Sequence, residues 1–459
     1  MLYRKFEKNI EDFLTNEPNK ILLVNGARQI GKSYLIRHVG KKMFNHYIEI
    51  NLKEDKESRG IFATVNNIED FHLQLGAIAG NKLGKKEDTL IFLDEIQSYP
   101  HLMTMLKFLN QEGRYTYIAS GSQLGVALSQ TASVPIGSIS IVEMYPLDFE
   151  EFLLAMGCGQ ETIDGVRSKF LAGQSLNQSL HDYMLQQFRL YLLVGGLPEC
   201  INKFLDNRNM THVRKIQHDI HELYRIDASQ YDAERRLVIR KIYDMIPSNM
   251  ENKKKRIVVK RIEDTGAHKQ FSDYAEEFEY LTNSGIALAV QAISNPKFPL
   301  MESENKNLLK LYMNDVGLLT YLLYGTNINA VLREEKGINL GSVYESVVAQ
   351  ELHAHGFSLH YYDNKQKGEV DYLVDDYNNL SVLPIEVKSG KDYTTHSALN
   401  NFINTPDYGI NHAVVLSNER EITVKGGITY LPIYYVMFYS STKTSSDTDI
   451  IVPEIPLPQ

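Results

Sequence analysis

A short apolar run, Ile21-Leu-Leu-Val24, leads into Gly26-Ala-Arg-Gln-Ile-Gly-Lys-Ser33, and a helical pattern follows at once. A G-x-x-x-x-G-K-S segment between a strand and a helix leaves little choice for the fold around it. Closely spaced backbone N–H donors must converge on one anionic ligand, and glycine lets the backbone approach without a Cβ clash. The helix that opens at Lys32 turns the positive end of its dipole toward the same point. The segment therefore predicts a phosphate cradle made of Gly26, Ala27, Arg28, Gln29, Ile30, Gly31, Lys32 and Ser33, with Tyr34 directly after it.

Some sixty residues on, the run Thr89-Leu-Ile-Phe-Leu93 ends in Asp94-Glu95. An apolar strand closing on two acids is common by itself, but after such a loop it reads as the loop's partner. Lys32 is then expected on the β- and γ-phosphates, Ser33 and Asp94 on Mg²⁺, and Glu95 on the attacking water. ATP is favoured over GTP because Asn202-Lys-Phe-Leu-Asp206 has the wrong spacing for an Asn-Lys-x-Asp guanine reader. A further strand, Tyr117-Ile-Ala-Ser-Gly-Ser122, ends in hydroxyls; Ser122, with Ser120 second, is a candidate γ-phosphate sensor, and a plain turn is the alternative.

Apolar runs at 21–24, 46–51, 89–93, 115–119 and 139–143 alternate with helical patterns at 28–39, 67–79 and 102–112. That alternation predicts a parallel sheet covered by helices on both faces, over residues 1–150. Residues 151–236 read as a mainly helical lid. Within 237–330 a helix at 237–246, Pro247, a basic stretch, a helix at 271–283 and a strand at 286–292 follow the order of a winged helix. Residues 331–440 start with a helix at 343–353 and continue with strands at 359–362, 370–374 and 383–387. Residues 441–459, rich in Ser, Thr, Asp and Pro, read as a flexible tail.

The formal net charge is −9, so a nucleic-acid partner has to meet a local basic surface. Lys253, Lys254, Lys255, Arg256, Lys260 and Arg261 supply one candidate for DNA, against the plainer alternative of a solvated loop. No apolar run is long enough to span a bilayer, and the charged N-terminus lacks the apolar core of a signal peptide. Two distant cysteines, Cys158 and Cys200, fit a reducing compartment, so a cytoplasmic location without membrane contact is expected.

Toward the C-terminus, Glu369 and Asp371 lie two apart on one strand, as do Glu386 and Lys388 on the next, so each pair shares a face. Glu345 sits near the start of the preceding helix. Acids converging with one lysine can hold Mg²⁺ against a scissile phosphate, with Asp371 and Glu386 as metal ligands and Glu345 and Lys388 completing the catalytic set. An alternating hairpin with one solvated face is the alternative. The i,i+3 pair His218 and His221, and the trio His353, His355 and His360, lack a matching ligand set and read as surface or core histidines.

Several segments together give this chain a family likeness. They are the loop at 26–33, Leu-Asp-Glu-Ile-Gln97, Ser-Gly-Ser122, Tyr-Pro-Leu-Asp-Phe-Glu-Glu-Phe152, Val-Gly-Gly-Leu-Pro-Glu199, Asn-Asp-Val-Gly-Leu-Leu319, Gly-Glu-Val-Asp371 and Pro-Ile-Glu-Val-Lys-Ser-Gly390. With them the chain resembles the bacterial and archaeal fused ATPases that join an AAA-type domain to a C-terminal PD-(D/E)xK restriction-endonuclease-like domain. The resemblance implies Asp371, Glu386 and Lys388 as the nuclease core and Glu345 as its helix acid, with phosphodiester cleavage and non-cleaving DNA binding both open. Members usually carry Gly-Arg where this chain has Gly137-Ser138. Trans-activation in a homo-oligomeric ring therefore lacks its usual arginine, and nothing in the sequence selects Arg114 or Arg189 in its place.

Overall fold

The computed structural model describes residues 2–122, 124, 137–228, 235–252, 255–263, 269–335, 338–390 and 392–441, with the side chains of 304–307 excepted. Lys253 and Lys254 of the basic run lie outside the described residues, as does the expected tail from residue 442 onward.

The N-terminal region is built on β1 (Ile21–Asn25), β2 (His46–Asn51), β3 (Thr89–Asp94), β4 (Thr116–Gly121) and β5 (Ile139–Glu143). All pair in parallel, in the order β2-β3-β4-β1-β5. β1 and β3 are buried along their whole length, as strands covered on both faces must be, which is why they read as unbroken apolar runs. The helices Lys32–Met43, Ile68–Ala79 and Pro100–Glu112 supply that cover. The first begins at Lys32, later than the apolar pattern from residue 28 suggests, because the preceding loop is held in its own conformation. β1 has β4 on one side and β5 on the other, so the chain builds the sheet out on both sides of β1. Open parallel sheets bind ligands at the carboxyl ends of strands beside such a point.

Helices Phe149–Ala155, Gln178–Val194, Pro198–Asn207 and Met210–Ala228 fill the middle of the chain. The helix Arg236–Met250 continues through Pro247, where an end was expected. Pro247 sits in the last turn, so its missing N–H and its ring disturb few further bonds.

The second sheet joins β6 (Ala287–Ile293), β7 (Glu304–Met313), β8 (His360–Asn364), β9 (Gly368–Asp376), β10 (Ser381–Val387), β11 (Ala413–Ser417), β12 (Thr423–Lys425) and β13 (Ile428–Pro432). Their order is β12-β13-β11-β10-β9-β8-β6-β7. β6 pairs antiparallel with β7 and parallel with β8, so this sheet crosses the boundary expected at residue 330. A hairpin in the 237–330 segment has a free edge, and β8 fills it; the single strand expected at 286–292 in a winged-helix order is β6 of a larger sheet. The helix Leu340–Ala354 packs on this sheet, and one apolar core runs from Phe6 and Leu22 through Tyr191 and Ile242 to Tyr344 and Phe438. Among the described residues no helix is long and apolar enough to cross a membrane.

Candidate nucleotide site and C-terminal charged cluster

The loop leaving β1 is shaped by close backbone approach. Gly26 has φ +145°, and a Cβ there would lie 2.3 Å from the carbonyl oxygen of Met144. Lys32 is buried and donates 2.7 Å hydrogen bonds to the carbonyls of Gly26 and of Ala27. Burial pulls its pKa down to about 8, against the opposing pull of Glu95 and Asp94. The first residue of the following helix thus carries a desolvated ammonium with no carboxylate in contact among the described residues.

Ser33 Oγ donates to Asp94 Oδ2 at 2.8 Å, so the hydroxyl that opens the helix and the acid that closes β3 stand side by side. Asp94 Oδ1 accepts from the Ser120 hydroxyl and from the Glu95 backbone N–H. Ser120 is therefore engaged, whereas the buried Ser122 hydroxyl has no partner among the described residues. Glu95 has a positive φ of 54°, and the side-chain amide of Gln97 donates to its carboxylate. Gln97 was not singled out by sequence reasoning, although it falls within Leu-Asp-Glu-Ile-Gln97.

These features fit a nucleotide with Mg²⁺. The cradle leaves no room for a Cβ at Gly26, Lys32 is bonded among the described residues only to neutral carbonyls it can exchange for phosphate, and Ser33 with Asp94 offers the oxygen donors a hard cation takes. Beside the loop lies a cavity of about 440 Å³, lined among others by Leu2, Arg4, Gly31, Tyr34, Pro198 and Asn202, a size that suits a nucleoside. Its far wall comes from residues that local sequence patterns do not connect to the loop. Arg4 donates to the carbonyls of Ile30 (3.0 Å) and Tyr145 (2.6 Å).

The outer side of the loop is gripped by the middle of the chain. Arg28 is ion-paired with Asp227, whose pKa burial raises to about 6, and Tyr224 Oη donates to Arg28 O at 2.8 Å. Gly285, at φ +72°, presses on the same loop: a Cβ there would lie 3.0 Å from Ala27 N. Of the substitute arginines, Arg114 lies over the Tyr115 ring and Arg189 pairs with Glu334 at 3.1 Å. Ser138 offers its carbonyl to Ile21 N.

The second sheet gathers the C-terminal acids. Asp371 Oδ2 accepts from Val387 N at 2.8 Å, which locks β9 to β10 beside Glu386. Lys388 Nζ lies 2.7 Å from Glu386 Oε1. Glu345, on the helix Leu340–Ala354, is ion-paired with Lys255. Glu369 turns to the buried Lys310 at 2.5 Å. Burial and the neighbouring Asp371 charge push Glu386 up to about 8 and raise Glu345 as well. Burial would lower Lys255 and Lys388, yet the facing carboxylates more than offset it and both stand above their ordinary value. Glu345, Asp371, Glu386 and Lys388 are thus brought together as the spacing suggested. Among the described residues, however, no group of three or more His, Cys, Asp or Glu side chains is disposed to hold a metal ion.

The basic run is only partly a surface. Lys255 points into this cluster, Arg256 pairs with Asp363 at 2.7 Å, and Lys260 and Arg261 are exposed. The histidines take structural contacts: His218 meets Tyr321 Oη at 3.0 Å, His221 stacks on Tyr243, His353 packs against Tyr145, and His355 reaches Asp148 at 3.2 Å.

Comparison with known proteins agrees with the N-terminal geometry. Residues 18–153 match the AAA domain family. Residues 185–329 match a domain of unknown function (DUF8612), and residues 340–436 match another (DUF4143). The uncharacterized protein MJ1544 of Methanocaldococcus jannaschii is 31% identical over 137 residues, which is 30% of this chain and 29% of that protein; the chain thus spans under a third of the relative's length. Among solved structures, the Walker-type ATPase PABY2304 of Pyrococcus abyssi aligns with 72% of this chain and 96% of its own, at 16% identity and a TM-score of 0.42. The Hsp104–ADP complex of S. cerevisiae aligns with 62% of this chain and 38% of its own, at 13% identity and a TM-score of 0.28. Likenesses this loose leave the domain match and the loop geometry as the ground for function. On that ground the N-terminal region carries an AAA-type P-loop domain of the ATPase kind.

Proposed function

We propose that the chain is a Mg²⁺-dependent ATPase whose nucleotide cycle is coupled to DNA binding or processing through its C-terminal, nuclease-like region. The observation that carries the ATPase half is the contact of Ser33 Oγ with Asp94 Oδ2 at 2.8 Å beside the buried Lys32, inside a segment that matches the AAA domain family. Lys32 exchanges its two carbonyl partners for phosphate oxygens and neutralises charge there. Ser33 and Asp94 hold Mg²⁺, which supplies charge neutralisation on the phosphates when bound. Glu95, steadied by Gln97, orients the attacking water, and the Ser122 hydroxyl is free to meet the γ-phosphate.

The DNA half is supported by the convergence of Glu345, Asp371, Glu386 and Lys388 and by the exposed Lys260 and Arg261 next to the winged-helix-like segment. The grip of Asp227, Tyr224 and Gly285 on the phosphate loop gives a physical route between the two halves. A second function, a nucleotide switch with a non-cleaving binding module, is favoured by one observation: the C-terminal acids already have lysines on them.

Two measurements separate these functions. ATP turnover with and without duplex and branched DNA is expected to rise with DNA. DNA affinity is expected to fall with salt in proportion to the phosphates contacted. DNA-independent turnover together with affinity that ignores salt sinks the DNA half and leaves the switch. Loss of cleavage in Lys388→Ala, where the wild type cuts, assigns cutting to the C-terminal cluster.

A further inference from the structure

We infer that Lys255 fills the place of a divalent cation in the C-terminal cluster, so that Mg²⁺ or Mn²⁺ enters only when this side chain leaves. The inference deepens the nuclease-like reading of that cluster and rests on it.

Glu345, Asp371 and Glu386 come from one helix and two strands and feel one another's charge. Three acids at one spot, Glu345 and Glu386 buried and Asp371 half-buried, need positive charge close by. Each source of it among the described residues is a lysine: Lys255 on Glu345 Oε1, Lys388 on Glu386 Oε1, and the buried Lys310, paired with Glu369, whose charge also reaches Glu345. Lys388 is on β10's own continuation and belongs to the site by register. Lys255 does not. It arrives from the segment after the helix Arg236–Met250, at a positive φ of 49°, and reaches across to the helix Leu340–Ala354.

Both carboxylates are at least nine-tenths buried, and Glu345 Oε2 and Glu386 Oε2 have no partner among the described residues. An unpartnered buried carboxylate oxygen is costly, and two at one cluster leave a demand that single-point ammonium groups meet only half-way. A divalent cation takes several oxygens at once and meets it fully. With Lys255 in place, the described carboxylates are not disposed to hold a metal. The same lysine is part of the run that includes the exposed Lys260 and Arg261, so a polyanion drawing on that run competes with Glu345 for it.

The test is Mn²⁺ binding to the nucleotide-free full chain, followed by electron paramagnetic resonance, for wild type, Lys255→Met and Lys255→Gln. The wild type is expected to show no binding that Asp371→Asn abolishes. Each Lys255 variant is expected to gain one site, at least about tenfold tighter than any wild-type binding, and to lose it when Asp371→Asn is added. Circular dichroism and Tm confirm that the variants fold. Folded Lys255 variants that gain no site overturn the inference. So does a wild-type site already abolished by Asp371→Asn, and that arm decides even where the variants fail to fold. Because the readout is metal and not DNA, failure here leaves the salt-dependence and cleavage measurements free to sustain or sink the DNA reading separately.

Discussion

Both sites of this molecule place lysine among carboxylates, and they settle the charge in opposite ways. Among the described residues Lys32 touches only backbone carbonyls, and burial draws its pKa down to about 8. Lys255 and Lys388 each touch a carboxylate, and those acids hold both lysines above their ordinary value in spite of burial. The first lysine is a positive charge in want of an anion; the other two already have a carboxyl group in contact. A desolvated cation without a counter-charge gains most from a phosphate. A matched pair has to be pulled apart before it can do anything else. The same residue types thus make one site ready for its ligand and leave the other closed on itself.

The sharpest way to break this comparison is to remove Lys32. Lys32→Ala is expected to lower kcat for ATP by about 10²–10³-fold, the scale for losing one preorganised charge at a transition state. Tm and nucleotide-free DNA affinity should be unchanged, as measured by phosphate release, thermal melting and DNA titration. A comparable loss from Lys388→Ala would mean that the two sites are not separate in the way described.

A medium effect is expected from pH. In the free protein Lys32 loses its proton near pH 8, whereas bound phosphates favour the ammonium and raise that pKa. Nucleotide affinity should therefore weaken as pH rises above about 8, approaching tenfold per pH unit, and Lys32→Arg should flatten the profile. Titration of a fluorescent ATP analogue from pH 7 to pH 10 checks it; a flat wild-type profile would show that Lys32 is not the unmatched charge.

The smallest effect sharpens the description of the other site. Burial and Asp371 lift Glu386 from an ordinary 4.5 to about 8, so the folded chain keeps a proton that the unfolded chain releases. A raised carboxyl pKa means stability that is present below pH 4.5 and is lost as pH climbs toward 8. Glu386→Gln should match the wild type near pH 5 and be more stable near pH 8, by about 1 kcal/mol. Thermal melts at the two pH values test it, and a variant less stable at both would show that the ionised Glu386–Lys388 pair supports the fold.

Much of the N-terminal region could be read from residues because its signals are local. β1, β3 and the loop between Gly26 and Ser33 follow from apolar runs and glycine spacing within a few residues of one another. The expected strands at 46–51 and 139–143 coincide with β2 and β5. The C-terminal acids were legible for the same reason, since a two-residue spacing fixes which face a strand side chain takes. What escaped was whatever depends on chain segments meeting from afar. β7, with the side chains of its first part aside, carries the buried Lys310, Leu311 and Tyr312 but was not separated from its surroundings by pattern. Its partner β6 joins β8 some seventy residues on, and no local period shows that.

The sequence by itself determined the phosphate loop, the Asp94–Glu95 pair beside it, the parallel sheet under them, and the list of acids and lysines near the C-terminus. These rest on short-range geometry, in which strand and helix periods and glycine's missing Cβ fix direction and reach. Only the tertiary structure decided who neutralises whom. It left Lys32 on bare carbonyls, turned Gln97 to Glu95, tied Arg28 to Asp227, and drew Lys255 out of a basic run into Glu345. Charge pairing is a through-space interaction between groups as distant in the chain as Arg28 and Asp227, 199 residues apart, and it is set by burial and by packing of the whole core.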